Sequence, residues 1–300
     1  MKISLIQFPI VPGDRKANFD QVRSHVRPAA AAGSDLAILP ELWDLSFYPP
    51  DVFDRADEGG CQGREFLQDL AASCHIQLVG GSLVRRQQGK LYNTTYIIDE
   101  EGNLVSSYDK CHLFTPGGEE KVFTPGDHLN TFFLGDVPMA SITCYDLRFG
   151  EWVRMAALAG AKILFVPAAW PHPRLAHWQI LNRARAIENQ LFVVAVNSCG
   201  TCGDYHFCGH SMIIDPWGEV LAEGGDGEVV VTGEIDLSVI DDIRSRINVF
   251  RDRRPAGIIP VRREAVTWKG YCTGYKGFLR CCSSSLSVSS WLRRAGSART

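Results

Sequence analysis

Short apolar runs alternate along this chain with stretches whose apolar residues recur at helical spacing. "ISLIQF" (3–8) predicts a strand, and "RKANFDQVRSHVRPAAAAG" a helix ending near Gly33. "DLAILPE" (35–41) predicts a buried strand stopped by Pro40, and "REFLQDLAASCH" a second helix. "IQLVGGSLV" and "LYNTTYIID" predict two strands joined by the charged turn "RRQQGK", followed by "GNLVSSYDK" with the polar residues of a strand edge.

The second half repeats this logic. "MASITC" predicts a strand, "EWVRMAALAG" a helix, and "AKILFVPAA" a strand. In "LAHWQILNRARAIENQ" and the residue after it, Ile180, Ala184, Ile187 and Leu191 fall at helical spacing and define the expected core-facing side of a longer helix. "LFVVAVN", "HSMIIDP", "GEVLAE" and "EVVVTGEID" complete the strands, with "DPWG" as a turn. This mixture predicts an α/β fold, sheets flanked by helices.

After "NVFRDRRP" the pattern fades. Residues 1–262 are expected to form one domain. Residues 263–300, rich in serine, glycine and basic residues without a sustained period, are expected to be a poorly ordered tail, with a partner-docking segment as the other reading.

At 45% hydrophobic and 22% charged residues, the 300-residue chain has the composition of a globular protein. A net charge of -3 argues against a surface built for nucleic acid or anionic lipid, which leaves a small molecule as the expected partner. No window approaches the roughly 20 apolar residues of a membrane span. "MKISLIQFPIVPGD" reads as a first strand rather than a secretory signal, so the expected location is the cytoplasm and the ten cysteines are expected to be free thiols. "CGTCGDYHFCGH" admits a zinc reading through Cys199, Cys202 and Cys208, but it lacks a second CxxC or HxxxH and reads better as a glycine-rich loop without metal.

Three residues suggest chemistry by their positions. Cys144 ends the "MASITC" strand just before a helix, the geometry that presents a nucleophile to the backbone N–H groups of the next turn. A buried thiol acting as a small hydrophobe would sit there equally well. Glu41 follows a strand and a proline, where burial suits a general base but where a solvated turn is as natural. Lys110 ends another strand, placed either to stabilise an oxyanion or to face water. A thiol, a base and a cation at three strand ends together point to an active site at one sheet edge. The histidine setting of papain-like hydrolases is absent, and His172, His177 and His210 read as pocket-lining or structural.

In order and separation, "LPELW", "YDKCHLF" and "TCYDLRFGE" resemble the three signatures of the nitrilase superfamily, the carbon-nitrogen hydrolases. The resemblance spans residues 2–255, with "FTPGD" and "GHSMIIDPWGE" as secondary matches. "AAWPHPRLAHWQILNRARAIENQLFVVAVN" is similar to the omega-amidase-like branch, whose members release ammonia from the terminal amide of 2-oxoglutaramate and related oxo acid amides.

The resemblance implies a four-layer α-β-β-α sandwich that dimerises into an extended stack. It implies Cys144 as nucleophile, Glu41 as base, Lys110 as the cation at the tetrahedral intermediate, and the Tyr145 N–H as oxyanion donor. The family's second glutamate falls on Glu119, with Glu120 one residue away. No metal or organic cofactor is implied. For the carboxylate of an oxo acid, Arg148 and Arg174 are the candidate cations, with Trp170 beside them, although both arginines also suit structural ion pairs. Gly150 stands where the family often has proline. The alternatives are an N-carbamoyl amino acid or amine amidohydrolase and, more distantly, a silent interaction module on the same scaffold.

Overall fold

The computed structural model describes residues 1–255, of which Met1–Arg253 form one compact unit. The expected tail at 263–300 lies outside the described residues.

The first half supplies β1 (Lys2–Gln7), α1 (Arg15–Ala31), β2 (Leu36–Ile38), α2 (Val52–Arg55), β3 (Asp57–Glu58), α3 (Cys61–Cys74), β4 (Gln77–Gln87), β5 (Lys90–Ile98) and β6 (Leu104–Asp109). There follow β7 (Asn130–Leu134), β8 (Val137–Ser141), α4 (Gly150–Leu158), β9 (Ile163–Ala168), α5 (Leu175–Asn189) and β10 (Phe192–Asn197). The chain continues through β11 (Cys199–Cys202), β12 (Tyr205–Cys208), β13 (Met212–Ile214), β14 (Val220–Glu223), β15 (Val229–Glu234), α6 (Ser238–Arg246) and α7 (Val249–Asp252).

Two sheets result. One runs β15-β1-β2-β4-β5-β6 with β3 beside β4, and the other runs β14-β13-β10-β9-β8-β7. Side chains alternate between sheet faces, so each strand serves two cores. Ile3, Leu5, Ile38 and Val79 meet Met139, Phe165, Val194 and Val196 between the sheets. Ile6, Ala37 and Leu78 face the opposite way, against Val22 and Val26 of α1 and Leu67 and Leu70 of α3. Leu164, Val166, Val193 and Ala195 likewise pack on Val153 of α4 and Trp178 and Ala186 of α5. The layers are therefore helix, sheet, sheet, helix. Burying each large apolar side chain this way contributes about 1.5–3 kcal/mol.

The structure departs from the sequence expectations at four places. The "RRQQGK" turn contracts to Gln88 and Gly89, whose φ values of 51° and 72° close a two-residue hairpin and leave Arg85 and Arg86 in β4. "NTFFL" forms the edge strand β7. "CGTCGDYHFC" is a hairpin rather than a loop, with Cys199 opposite Cys208. Among the described residues no cluster of three His, Cys, Asp or Glu could hold a metal ion.

The fourth departure is in α5, where Ile180 and Ile187 are 64% and 51% exposed. Trp178, Asn182, Arg185, Ala186 and Asn189 occupy the buried face instead. Their nitrogens find acceptors there: Arg185 Nε donates to Leu147 O at 3.0 Å, Asn182 Nδ2 to Trp178 O at 2.9 Å, and Asn189 Nδ2 to Arg185 O at 3.0 Å, while the Asn182 and Asn189 side-chain oxygens are buried without a partner. No described helix is long and apolar enough to cross a membrane.

Candidate active site

β2, β6, β8 and β9 all point their C-terminal ends to one side, and the segments that follow them meet there. Glu41 sits just past β2. Its loop is held by a bulge in β4: Ser82 Oγ accepts from Leu42 N at 2.9 Å, and Trp43 Nε1 donates to Gly80 O at 2.7 Å. Gly81 has φ +59°, and a Cβ there would stand 2.1 Å from Pro40 O, so only glycine permits this approach. Glu41 N also donates to Ala168 O at 3.3 Å, joining the first sheet's loop to the end of β9 in the second.

Glu41, Lys110 and Glu119 are fully buried and bonded to one another. Lys110 Nζ lies 2.7 Å from Glu41 Oε1 and 2.8 Å from Glu119 Oε2. Glu119 is buried in this cluster, whereas Glu120 is exposed. Ala169 N donates to Glu41 Oε2 at 3.0 Å, and Phe114 N to Glu119 Oε2 at 2.6 Å.

Burial alone would push the Lys110 ammonium's pKa down. Glu119, then Glu41, outweigh it and hold the pKa well above its ordinary value, so Lys110 stays charged. The Cys144 thiol is pushed well up by burial and then by the Glu41 carboxylate it faces, against the opposing pull of Lys110. The resting centre is thus a neutral thiol beside an ion cluster of net charge -1.

Cys144 opens a 3₁₀ turn, Cys144–Arg148, with φ +46°, a conformation that non-glycine residues adopt at a cost of roughly 1–3 kcal/mol. Tyr145 follows it on the turn. Thr143 and Asp146 form a capping box that closes this turn.

Cys144, Tyr145, Arg148, Ala169, Trp170 and Arg174 line one pocket, together with Phe47, Phe114 and Pro171. The Arg148 guanidinium lies over the Trp170 ring at 4.7 Å, and that of Arg174 over Phe114 at 5.1 Å. Among the described residues neither has a carboxylate within salt-bridge distance, although Arg148 Nη2 lies 3.3 Å from His177 Nδ1. The eight candidate site residues Glu41, Lys110, Glu119, Cys144, Tyr145, Arg148, Trp170 and Arg174 therefore fall in or against this one centre. His210 does not: it pairs with Glu223 and Asp226 elsewhere.

Sequence reasoning passed over Asn93. Its Nδ2 donates to Glu41 Oε1 and to Glu119 Oε1, each at 3.0 Å, so one neutral amide bridges the two carboxylates. "LYNTTYIID" carries a signal in retrospect, because a central strand residue that buries an amide must bond it to something.

A thiol, a carboxylate and an ammonium buried at strand ends between two sheets define an acyl-transfer hydrolase. The carbon-nitrogen hydrolase family model matches residues 2–245, and the chain belongs to that family. It is accordingly an enzyme that hydrolyses carbon-nitrogen bonds other than peptide bonds. The chain is 41% identical to a 2-oxoglutaramate amidase of Bacillus subtilis (strain 168), covering 84% of this chain and 97% of the relative. It is 34% identical to an omega-amidase of Homo sapiens, covering 84% and 95%. Among solved structures it is similar to a Saccharomyces cerevisiae member of branch 10 of the nitrilase superfamily, at TM-score 0.78 and 30% identity over 85% of this chain and 96% of that one. It is also similar to a Nesterenkonia amidase carrying acrylamide on its active-site cysteine, at TM-score 0.74 and 28% identity over 83% and 98%.

Proposed function

We propose that the protein is an omega-amidase that releases ammonia from the terminal amide of a small 2-oxo acid of the 2-oxoglutaramate type. The observation that carries this reading is the pair Arg148 and Arg174, two guanidiniums on aromatic faces in the Cys144 pocket without a carboxylate partner among the described residues. A substrate carboxylate would complete them. The relatives named 2-oxoglutaramate amidase and omega-amidase support the same choice.

In the proposed reaction Glu41 takes the thiol proton as Cys144 Sγ attacks the amide carbon. Lys110 Nζ and the Tyr145 N–H hold the oxyanion. The tetrahedral intermediate breaks its C–N bond, and Glu41 returns the proton to the departing nitrogen, giving ammonia and a thioester. Glu41 then deprotonates water, which attacks the thioester. Cys144 leaves and recovers its proton, so amide and water become carboxylic acid and ammonia. Glu119 and Asn93 orient Lys110 and Glu41.

We also propose a homodimer, supported by the exposed apolar Ile180 and Ile187 of α5 and Met155 and Leu158 of the adjoining α4. A cytoplasmic location is supported by the seven free cysteines among the described residues.

The test measures ammonia and carbon dioxide from 2-oxoglutaramate, an N-carbamoyl amino acid and an aliphatic nitrile. Ammonia alone, from the first, is expected, and Arg148→Leu should raise KM for it about tenfold or more. Equal release of both gases from the carbamoyl compound would assign the enzyme to N-carbamoyl hydrolysis instead. Silence from all three in folded protein would leave an interaction module.

A further inference from the structure

One buried carboxylate near the site has more donors aimed at it than a turn requires. Asp146 Oδ2 accepts from Thr143 N at 2.9 Å, closing the strained turn of Cys144, and from the Tyr108 hydroxyl at 2.8 Å. Asp146 Oδ1 accepts from His112 N at 2.9 Å and faces His112 Nδ1 at 2.7 Å. A carboxylate oxygen only accepts, so Nδ1 carries the proton. Tyr108 and His112 flank Lys110 by two residues on either side, and Asp146 follows Cys144 by two. A single side chain thus grips the segment of the cation and the segment of the thiol.

We propose that Asp146 and His112 form a latch that sets the position of Lys110 relative to Cys144, which makes His112 a positioning residue for the reaction. The inference rests on the reading that Cys144 and Lys110 carry the chemistry. Lys110 is anchored along its own backbone, its N–H donating to Asn93 O at 2.9 Å and its carbonyl accepting from Gly126 N at 3.0 Å, both contacts outside the Cys144 turn. The strained turn needs an outside hold to keep its thiol facing the cation, and a displacement of about 1 Å can cost a hundredfold in rate. The His112 ring also packs, stacked on Phe149 at 3.7 Å and edge-on to Trp152 at 5.3 Å. Packing and latching are therefore two roles in one side chain, and two substitutions separate them.

His112→Phe keeps a ring against Phe149 and loses the donor. His112→Asn places an amide N–H near the position of Nδ1 and loses the ring. The latch requires His112→Phe to lose about tenfold or more in kcat at unchanged KM, with iodoacetamide labelling of Cys144 slowed in parallel. His112→Asn should keep kcat within about threefold while its melting temperature falls. Tyr108→Phe, a milder change that removes one other donor to Asp146, should lower kcat by about threefold or more in a folded protein. Wild-type kcat in His112→Phe with loss in His112→Asn would overturn the latch and leave His112 a packing residue. Equal losses in both, or unchanged kcat in either His112→Phe or Tyr108→Phe, would overturn it as well. Cys144→Ala run alongside separates the two levels. Residual turnover there defeats the proposed chemistry, whereas an inactive Cys144→Ala beside a normal His112→Phe defeats the latch alone.

Discussion

Replacing Lys110 tests the proposed chemistry most sharply, provided that its effect on folding is separated from its effect on rate. Lys110→Met removes the cation shared by two buried carboxylates and takes the local charge from -1 to -2. Glu41 keeps the Asn93 and Ala169 donors, and Glu119 keeps those of Asn93 and Phe114, so each carboxylate loses one of three hydrogen bonds. Breaking a buried ion pair this way costs about 3–5 kcal/mol, a large part of the roughly 5–15 kcal/mol of a typical domain. Loss of an oxyanion donor costs about a hundredfold to a thousandfold in kcat. Adding Glu119→Gln to Lys110→Met restores the net charge of -1 and should recover most of the lost stability. It should recover none of the turnover, because nothing replaces the cation at the intermediate. Urea unfolding at pH 7 reads the first effect and ammonia release from 2-oxoglutaramate the second. A double variant within about threefold of wild-type turnover would refute catalysis by Lys110 and leave it as the counter-ion of its neighbours.

Asn93→Leu preserves volume but removes two hydrogen bonds to carboxylates; kcat should fall by about tenfold to a hundredfold with KM little changed, as read by steady-state ammonia release. Asp44, buried on the loop that carries Glu41 and paired with Arg15 at 3.2 Å, has its pKa pushed up to about 6 by burial, against the pull of Arg15. A folded-state pKa above the unfolded value of 3.8 means that this group's contribution to stability falls as pH rises through that window, by about 3 kcal/mol in total. Relative to wild type, Asp44→Asn should therefore gain stability between pH 4 and pH 7 in urea unfolding, and a flat difference would contradict the assignment. The double variant Ile180→Glu and Ile187→Glu should run as a monomer in light scattering under conditions where the wild type is a dimer, and an unchanged mass would remove this face from the interface.

Much of this protein is local and therefore legible along the chain. Period-two and helical spacings marked most of the strands and helices, because alternation follows from backbone geometry whatever the neighbours are. Glu41, Lys110 and Cys144 stand out because each lies at or just past a strand end, and strand ends are where an α/β sheet gathers its site. Glu119 came from the resemblance; that it rather than Glu120 turns inward depends on Lys110 lying across from it.

What the spacing could not supply is partnership across distance. The helical period of α5 identified which residues share a side but not which side meets the sheet. Arg185, Asn182 and Asn189 turn inward, Arg185 against the Cys144 turn, leaving Ile180 and Ile187 outside. Asn93 meets Glu41 across 52 positions, and Asp146 meets Tyr108 across 38. The first contact exists because β2 and β5 flank β4 in one sheet, and the second because the two sheets bring their strand ends together, so each buried polar side chain finds its partner only after the strands and layers have assembled.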